Sequence, residues 1–237
     1  MTSHSNALRE MKLFHGLSSS QLAEVERAVE YVTLPAAARV MNIDEVSQAV
    51  FIILEGTVKV YAGHENEGSV MLGMAGRGEV LGEISAFDGL GHSATVMTLE
   101  PVVLVRIDSQ RFMEMIRAMP LLLENLTRLI IRRLRLSTVR IHLLATGDTK
   151  CRLARLLMGL ADQYHHSHAD SHSCSRTEEP VEIPLRLRQA DLAAMIGTAR
   201  PHLNKVLQVL QHEQAISISP EQRITILKRD LLLRHCR

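Results

Sequence analysis

The stretch Gln189-Ala-Asp-Leu-Ala-Ala-Met-Ile-Gly-Thr-Ala-Arg-Pro-His-Leu-Asn-Lys-Val206 decides the fold. Its spacing predicts two short helices folded across a tight turn, a helix-turn-helix. Ala193 is small where the helices touch, and Gly197 can take the positive φ that ends the first one. Leu192 and Ile196 repeat at helical spacing, as do Leu203, Val206, Leu207 and Leu210 in the second helix. Thr198 is the expected N-cap, and Pro201 falls in a first turn, where its missing N–H does little harm. Arg200, His202, Asn204, Lys205 and Gln208 are left on other faces. Arg200 and Lys205 suit guanine edges or phosphates, and Asn204 carries the donor and acceptor pair that suits adenine. The blander alternative is a solvated basic face on an ordinary helical hairpin.

The residues C-terminal to the hairpin favour the nucleic-acid reading. Ile216, Ile218, Ile224 and Ile226 alternate with polar residues around Ser219-Pro220-Glu221-Gln222, a strand-turn-strand pattern that makes a wing. Total charge says little: 27 Lys+Arg face 26 Asp+Glu in 237 residues. The distribution says more. Residues 1 to 147 hold 14 basic and 16 acidic side chains, leaving 13 and 10 for residues 148 to 237. Arg186, Arg188, Arg200 and Lys205 stand against Asp191 alone between Leu185 and Val209, a patch that would face phosphate. With Gln189, Thr198, His202 and Asn204 they complete the candidate DNA-contacting set.

Upstream, nine of the 13 glycines lie between Gly56 and Gly91, interleaved with β-branched runs. Val50–Leu54, Thr57–Tyr61, Ser69–Leu72, Ala94–Met97 and Val102–Ile107 read as strands of an antiparallel barrel or roll. Leu13, Leu17, Leu22, Val25 and Val29 suggest short leading helices. Asp108 or Ser109 caps a helix ending near Pro120, and a longer apolar periodicity comes next. Leu123, Thr127, Ile130, Leu134, Ser137, Ile141 and Leu144 alternate by four and three, a heptad stripe suited to a twin helix. Leu122, Leu126, Leu129 and Leu136 form an adjacent stripe that can pack on the roll. An amphipathic core helix in a monomer is the competing reading.

A glycine-rich roll, a long dimerising helix and a winged helix-turn-helix, in that order, resemble the cyclic-AMP receptor protein/FNR family of bacterial transcription regulators over nearly the whole chain. The segment Gly78-Glu-Val-Leu-Gly-Glu-Ile-Ser-Ala-Phe-Asp-Gly89, with Ser93-Ala-Thr95 after it, is similar to the family's phosphate-binding cassette. The resemblance implies a homodimer on an inverted repeat in double-stranded promoter DNA, acting with RNA polymerase. In cyclic-nucleotide-binding members a Gly-Glu pair holds the ribose and an Arg-Ser pair the cyclic phosphate. Here these positions read Gly82-Glu83 and His92-Ser93, so a charged bidentate clamp is replaced by a mostly neutral imidazole. Ile84 and Ser85 supply backbone N–H groups by the same resemblance, and Ser137 and Thr138 match the purine-contacting hydroxyls. Three readings of this pocket stand: a cyclic nucleotide, another small molecule, or no effector at all. Pro201 replaces the family's acidic base reader, which implies an altered base preference.

The implied architecture is α+β: residues 1–108 an effector-sensing roll with leading helices, 109–147 a short helix and the dimerisation helix, and 148–237 the winged helix-turn-helix. No enzyme is expected. Glu83, Asp88 and His92, or Ser93 with His92, can be drawn as reacting groups, but the sequence names no orienting third residue or oxyanion donor. A nucleotide-sensing module acting on a protein partner without DNA is the non-enzymatic alternative. His165, His166, His168, His172 and Cys174 have the density of a metal site, yet their Ser-rich, irregular spacing reads as a loop, so no metal is assigned. Three cysteines, no membrane-length apolar run and a polar N-terminus lead to an expected cytoplasmic location, without a membrane.

Overall fold

The computed structural model describes residues 7–46, 48–63, 70–146, 148–165 and 180–236; within these, the side chains at 139, 140, 142–146, 163 and 165 are not described. Contacts divide the chain into two compact units, Met1–Ile131 and Arg132–Arg237, and the boundary falls inside the longest helix.

The first unit opens with a 3-10 turn, Lys12–Phe14, and helix α1, Ser19–Ala28. Ser18 and Gln21 start α1 with a reciprocal capping box, satisfying two otherwise orphaned donors. Val29, expected in a leading helix, instead begins strand β1, Val29–Leu34, because its backbone is claimed by an antiparallel ladder opposite Ile107. The next strands are β2, Arg39–Met41; β3, Ala49–Glu55; β4, Val58–Ala62; β5, Val70–Ala75; and β6, Val80–Leu81. Helix α2, Glu83–Asp88, precedes β7, Thr95–Thr98, and β8, Val102–Asp108. They pair antiparallel into two four-stranded sheets, ordered β1-β8-β3-β6 and β2-β7-β4-β5.

Between the sheets lie Met41, Ile53, Val58, Leu81, Val96 and Leu104. A second cluster joins the leading segment, through Leu8, Leu13 and Phe14, to Phe112 and Met115 of α3, Ser109–Ala118. Asp108 caps α3 by accepting from the N–H groups of Gln110 and Arg111. Helix α4, Pro120–Thr146, adds Leu122, Leu126 and Leu129 to the same cluster. Asn125, 5% exposed, donates from Nδ2 to the carbonyls of Leu13 and His15, at 3.0 and 2.8 Å. The fourth leucine expected beside them, Leu136, belongs to the second unit: its Cδ2 lies against Gly159, where a Cβ would stand 2.8 Å away. On the other stripe Leu123, Ile130, Leu134 and Ile141 are exposed, the last two by 65% and 70%.

The second unit contains α5, Thr149–His165; β9, Val181–Ile183; α6, Gln189–Met195; α7, Arg200–His212; β10, Ile216–Ile218; β11, Ile224–Ile226; and α8, Arg229–Arg234. The sheet order β10-β11-β9 makes a three-stranded wing. Leu153, Leu157, Leu185, Leu192, Leu203, Leu210, Ile224 and Leu232 are buried in this unit. No helix among the described residues is long and apolar enough to cross a membrane.

Candidate functional site

The roll's candidate pocket is built around the turn from β6 into α2. Gly82 ends that turn at φ +80°, and a Cβ there would come within 2.8 Å of the Ala49 carbonyl oxygen. Only glycine fits both demands without displacing backbone. Glu83 comes immediately after and is 2% exposed; Ser85 is also buried, while Ile84 points out. Six residues beyond Ser85, Gly91 passes so close to Asp44 that a Cβ would meet its carbonyl oxygen at 2.5 Å. Backbone bonds close this crossing, with Asp44 N–H donating to His92 O at 2.9 Å and His92 N–H to Glu45 O at 2.8 Å. Asp44 itself has a left-handed φ of +66°.

The crossing sets the state of His92. The residue is 7% exposed, and its Nδ1 lies 3.1 Å from the Ser85 hydroxyl. Burial pushes its pKa below the ordinary 6.5, with the Glu45 carboxylate opposing the shift. The imidazole at neutral pH is therefore uncharged and already engaged by a neighbouring side chain. Ser93 is exposed beside it. Ser137 and Thr138 are exposed on α4, and their hydroxyls bond back to the carbonyls of Arg133 and Leu134, both at 3.0 Å. Such back-bonding leaves the hydroxyl oxygen free to accept a further bond.

In the second unit α6 and α7 are joined across Gly197, at φ +62°, with Thr198 N–H donating to Ala193 O at 3.0 Å. The N-cap of α7 is Ala199, not Thr198, and no side chain caps it. The 193–198 bond explains the difference, since Thr198 is committed to closing the turn. Pro201 sits in the first turn of α7. Leu203, Val206, Leu207 and Leu210 face inward, and Arg200, His202 and Lys205 are exposed. Arg188, Gln189 and Arg200 share a concavity of about 380 Å³ with Leu187 of the preceding segment and Ile218 and Gln222 of the wing. Leu187 N–H donates to Gln222 O at 2.8 Å, pinning the wing turn beside it. Arg186 is half-buried just upstream. Asn204 is also half-buried, and its Oδ1 is covered without a hydrogen-bond partner. The acceptor that adenine would meet is thus turned into the protein.

The histidine-rich segment gives no site to describe: His166, His168, His172 and Cys174 lie outside the described residues, as does the His165 side chain. Among the described residues no group of three or more His, Cys, Asp or Glu is placed to hold a metal ion. Sequence reasoning missed the 44–46 crossing, whose only local signal was the turn-forming run Asn42-Ile43-Asp44.

Comparison with known proteins bears on both units. Residues 31–119 match the cyclic nucleotide-binding domain model and residues 151–235 the Crp-like helix-turn-helix domain model. The Cyclic AMP receptor protein of Thermus thermophilus is 27% identical over 211 residues, covering 88% of this chain and 89% of that one. The CRP-like cAMP-activated global transcriptional regulator of Mycobacterium tuberculosis is 24% identical over 90% of this chain and 94% of its own. The structure of FixK2 from Bradyrhizobium japonicum shares the fold, with a TM-score of 0.69 at 14% identity, over 87% of this chain and 96% of that one. With a cyclic nucleotide-binding domain followed by a Crp-like helix-turn-helix, the chain belongs to the CRP/FNR family of DNA-binding transcription regulators, which are not enzymes.

Proposed function

We propose that this regulator works as a homodimer that reads an inverted repeat in promoter DNA through α7 and is controlled by a small effector in its roll. The observation that carries the reading is α7 itself. Its apolar face is fully used by the core, while Arg200, His202 and Lys205 are exposed and Arg200 shares a concavity with Arg188 and Gln189. Arg186 and Thr198 flank this surface as phosphate contacts, and Asn204 joins it once its amide turns outward. Two copies of α7 about 34–36 Å apart would enter successive major grooves. The exposed Leu123, Ile130, Leu134 and Ile141 stripe is the dimer seam, and residues 1–108, 109–147 and 148–237 are sensing, dimerising and DNA-binding segments. RNA polymerase is the further partner, and the cytoplasm the compartment.

For the roll, the names of the relatives point to a cyclic nucleotide. Glu83 is the ribose ligand on that reading; Ser93, the backbone N–H groups at Ile84 and Ser85, and His92 take the phosphate; Ser137 and Thr138 take the purine. His92 would use Nε2 for this, since its Nδ1 is held against the Ser85 hydroxyl. That bond favours a second reading, in which the family's phosphate clamp has become an internal contact and DNA binding needs no effector. Selection of DNA fragments by the purified protein at fixed salt, with and without cyclic AMP, tests both. An inverted repeat bound well above bulk DNA is the expected result, and a nucleotide-dependent gain would choose the first reading. Failure to enrich any site under either condition would favour a module acting on a protein partner.

A further inference from the structure

Two cysteines that play no part in DNA reading meet at one end of the second unit. Cys151 stands in the first turn of α5, its N–H donating to Asp148 Oδ1 at 2.7 Å. Cys236 comes after α8, its N–H donating to Leu233 O at 3.0 Å. Though 85 positions apart, they are brought together: Cys236 Sγ lies 3.6 Å from the Cys151 carbonyl oxygen and 4.0 Å from that of Leu232. Arg155, one turn along α5 from Cys151, is the neighbouring cation that favours the thiolate form of Cys236. Both cysteines are half-buried.

Packing holds the pair in place. Leu232 of α8 is fully buried, Arg229 pairs with Asp162 of α5 at 2.8 Å, and His235 Nε2 lies 2.7 Å from Glu213 Oε2 at the end of α7. A cysteine that only fills space is usually enclosed by apolar neighbours and is inert. Here the second cysteine's sulfur lies against the first cysteine's backbone, with the Arg155 cation near enough to favour a thiolate as it forms.

We propose that Cys151 and Cys236 are an oxidisable dithiol, a modification site for low-molecular-weight disulfides such as oxidised glutathione, which convert it to an intramolecular disulfide. The Cys151 thiolate, having given its proton to solvent, attacks one sulfur of the reagent. A protein–reagent disulfide forms, and one reagent thiolate leaves to take up a proton. Cys236 then loses its proton and attacks the Cys151 sulfur, forming the internal bond and expelling the second reagent thiolate. Two protein thiols are oxidised by two electrons, and one reagent disulfide becomes two thiols. Burial and the Cys151 contact push the Cys236 thiol up to about 11, which suits it to the second, intramolecular attack more than to the first. The product joins the first turn of α5 to the residue beyond α8, closing a loop around nearly the whole DNA-binding segment.

The test uses the full-length protein treated with oxidised glutathione, then alkylated and digested without reductant for mass spectrometry. Two of its three thiols should disappear with loss of two hydrogen masses, in a peptide linking Cys151 to Cys236 that dithiothreitol releases. Cys174→Ser should behave identically. Cys236→Ser, with helicity checked by circular dichroism, should stop at a glutathione adduct on Cys151, and Cys151→Ser should gain an adduct on Cys236 far more slowly. The proposal fails if Cys174→Ser protein forms no 151–236 link, or forms it only in denaturant. It fails equally if separate glutathione adducts accumulate on Cys151 and Cys236.

Discussion

Replacing Gly91 with alanine isolates the crossing that holds His92. The added Cβ would stand 2.5 Å from the Asp44 carbonyl oxygen, 2.6 Å from its carbon and 2.8 Å from its Cα. All three are backbone atoms, so no side-chain rotation relieves the overlap and the 44–46 segment must move. Two hydrogen bonds go with it, Asp44 N–H to His92 O and His92 N–H to Glu45 O. At about 0.5–1.5 kcal/mol net for each bond the pair represents about 1–3 kcal/mol. Crowding against backbone adds about 1–3 kcal/mol more, for a total of roughly 2–6 kcal/mol. Gly89→Ala is the control: φ is +71° but nothing lies within 4 Å of its Cβ, so only left-handed strain remains, about 1–2 kcal/mol. Urea unfolding followed by far-ultraviolet circular dichroism compares the two, and the His92 ring resonances report release from Ser85. Gly91→Ala costing no more than Gly89→Ala, with unmoved His92 signals, would refute the argument.

Arg200→Ala should weaken specific DNA binding by about 1–3 kcal/mol, or roughly 5- to 150-fold, while Lys205→Ala should lower the salt slope by about one if it meets a phosphate. Fluorescence anisotropy across a salt series separates these effects; an unchanged affinity for Arg200→Ala removes it from the reading face. Leu134→Glu combined with Ile141→Glu should convert dimer to monomer in sedimentation with helicity retained, because both side chains are exposed in the single chain. A persisting dimer would place the seam elsewhere. His92 has a lowered folded pKa, so the unfolded chain binds its proton first as pH falls. Its contribution to roll stability is present above about pH 6.5 and is lost below it. Calorimetry should therefore show a shallower decline in His92→Gln between about pH 7.5 and 5.5, and parallel declines would exclude His92 as the source.

The helix-turn-helix was legible because two demands coincide there, a glycine with positive φ and an apolar set at helical spacing. Gly197 and the Leu203 to Leu210 face satisfy both. The long roll strands were legible from β-branched runs. The short ones were not: β2 and β6 have three and two residues, and β1 alternates weakly with both ends half-buried. Val29 fits the apolar spacing of α1 as well as the start of a strand, and only the distant partner Ile107 decides. In the pocket, residue types at Gly82, Glu83 and His92 could be matched, but the Ser85 bond depends on a crossing formed by residues nearly fifty positions upstream. Asn204 is another such case. Its spacing places it beside the exposed face of α7, while packing against neighbouring elements covers its oxygen.

The Asn125 amide bears on the order of folding. Its two acceptors, on Leu13 and His15, lie 112 and 110 positions back along the chain, and Leu122, Leu126 and Leu129 share a core with Leu8 and Phe14. A ribosome releasing residues in sequence delivers the leading segment first and this seal last. Until the helix arrives, the apolar faces of Leu13 and Phe14 have no lid, and the carbonyls of Leu13 and His15 have only water in place of the Asn125 amide. Closure of the roll should therefore be a late, high-contact-order event during synthesis, with the nascent chain open to chaperones until α4 has emerged.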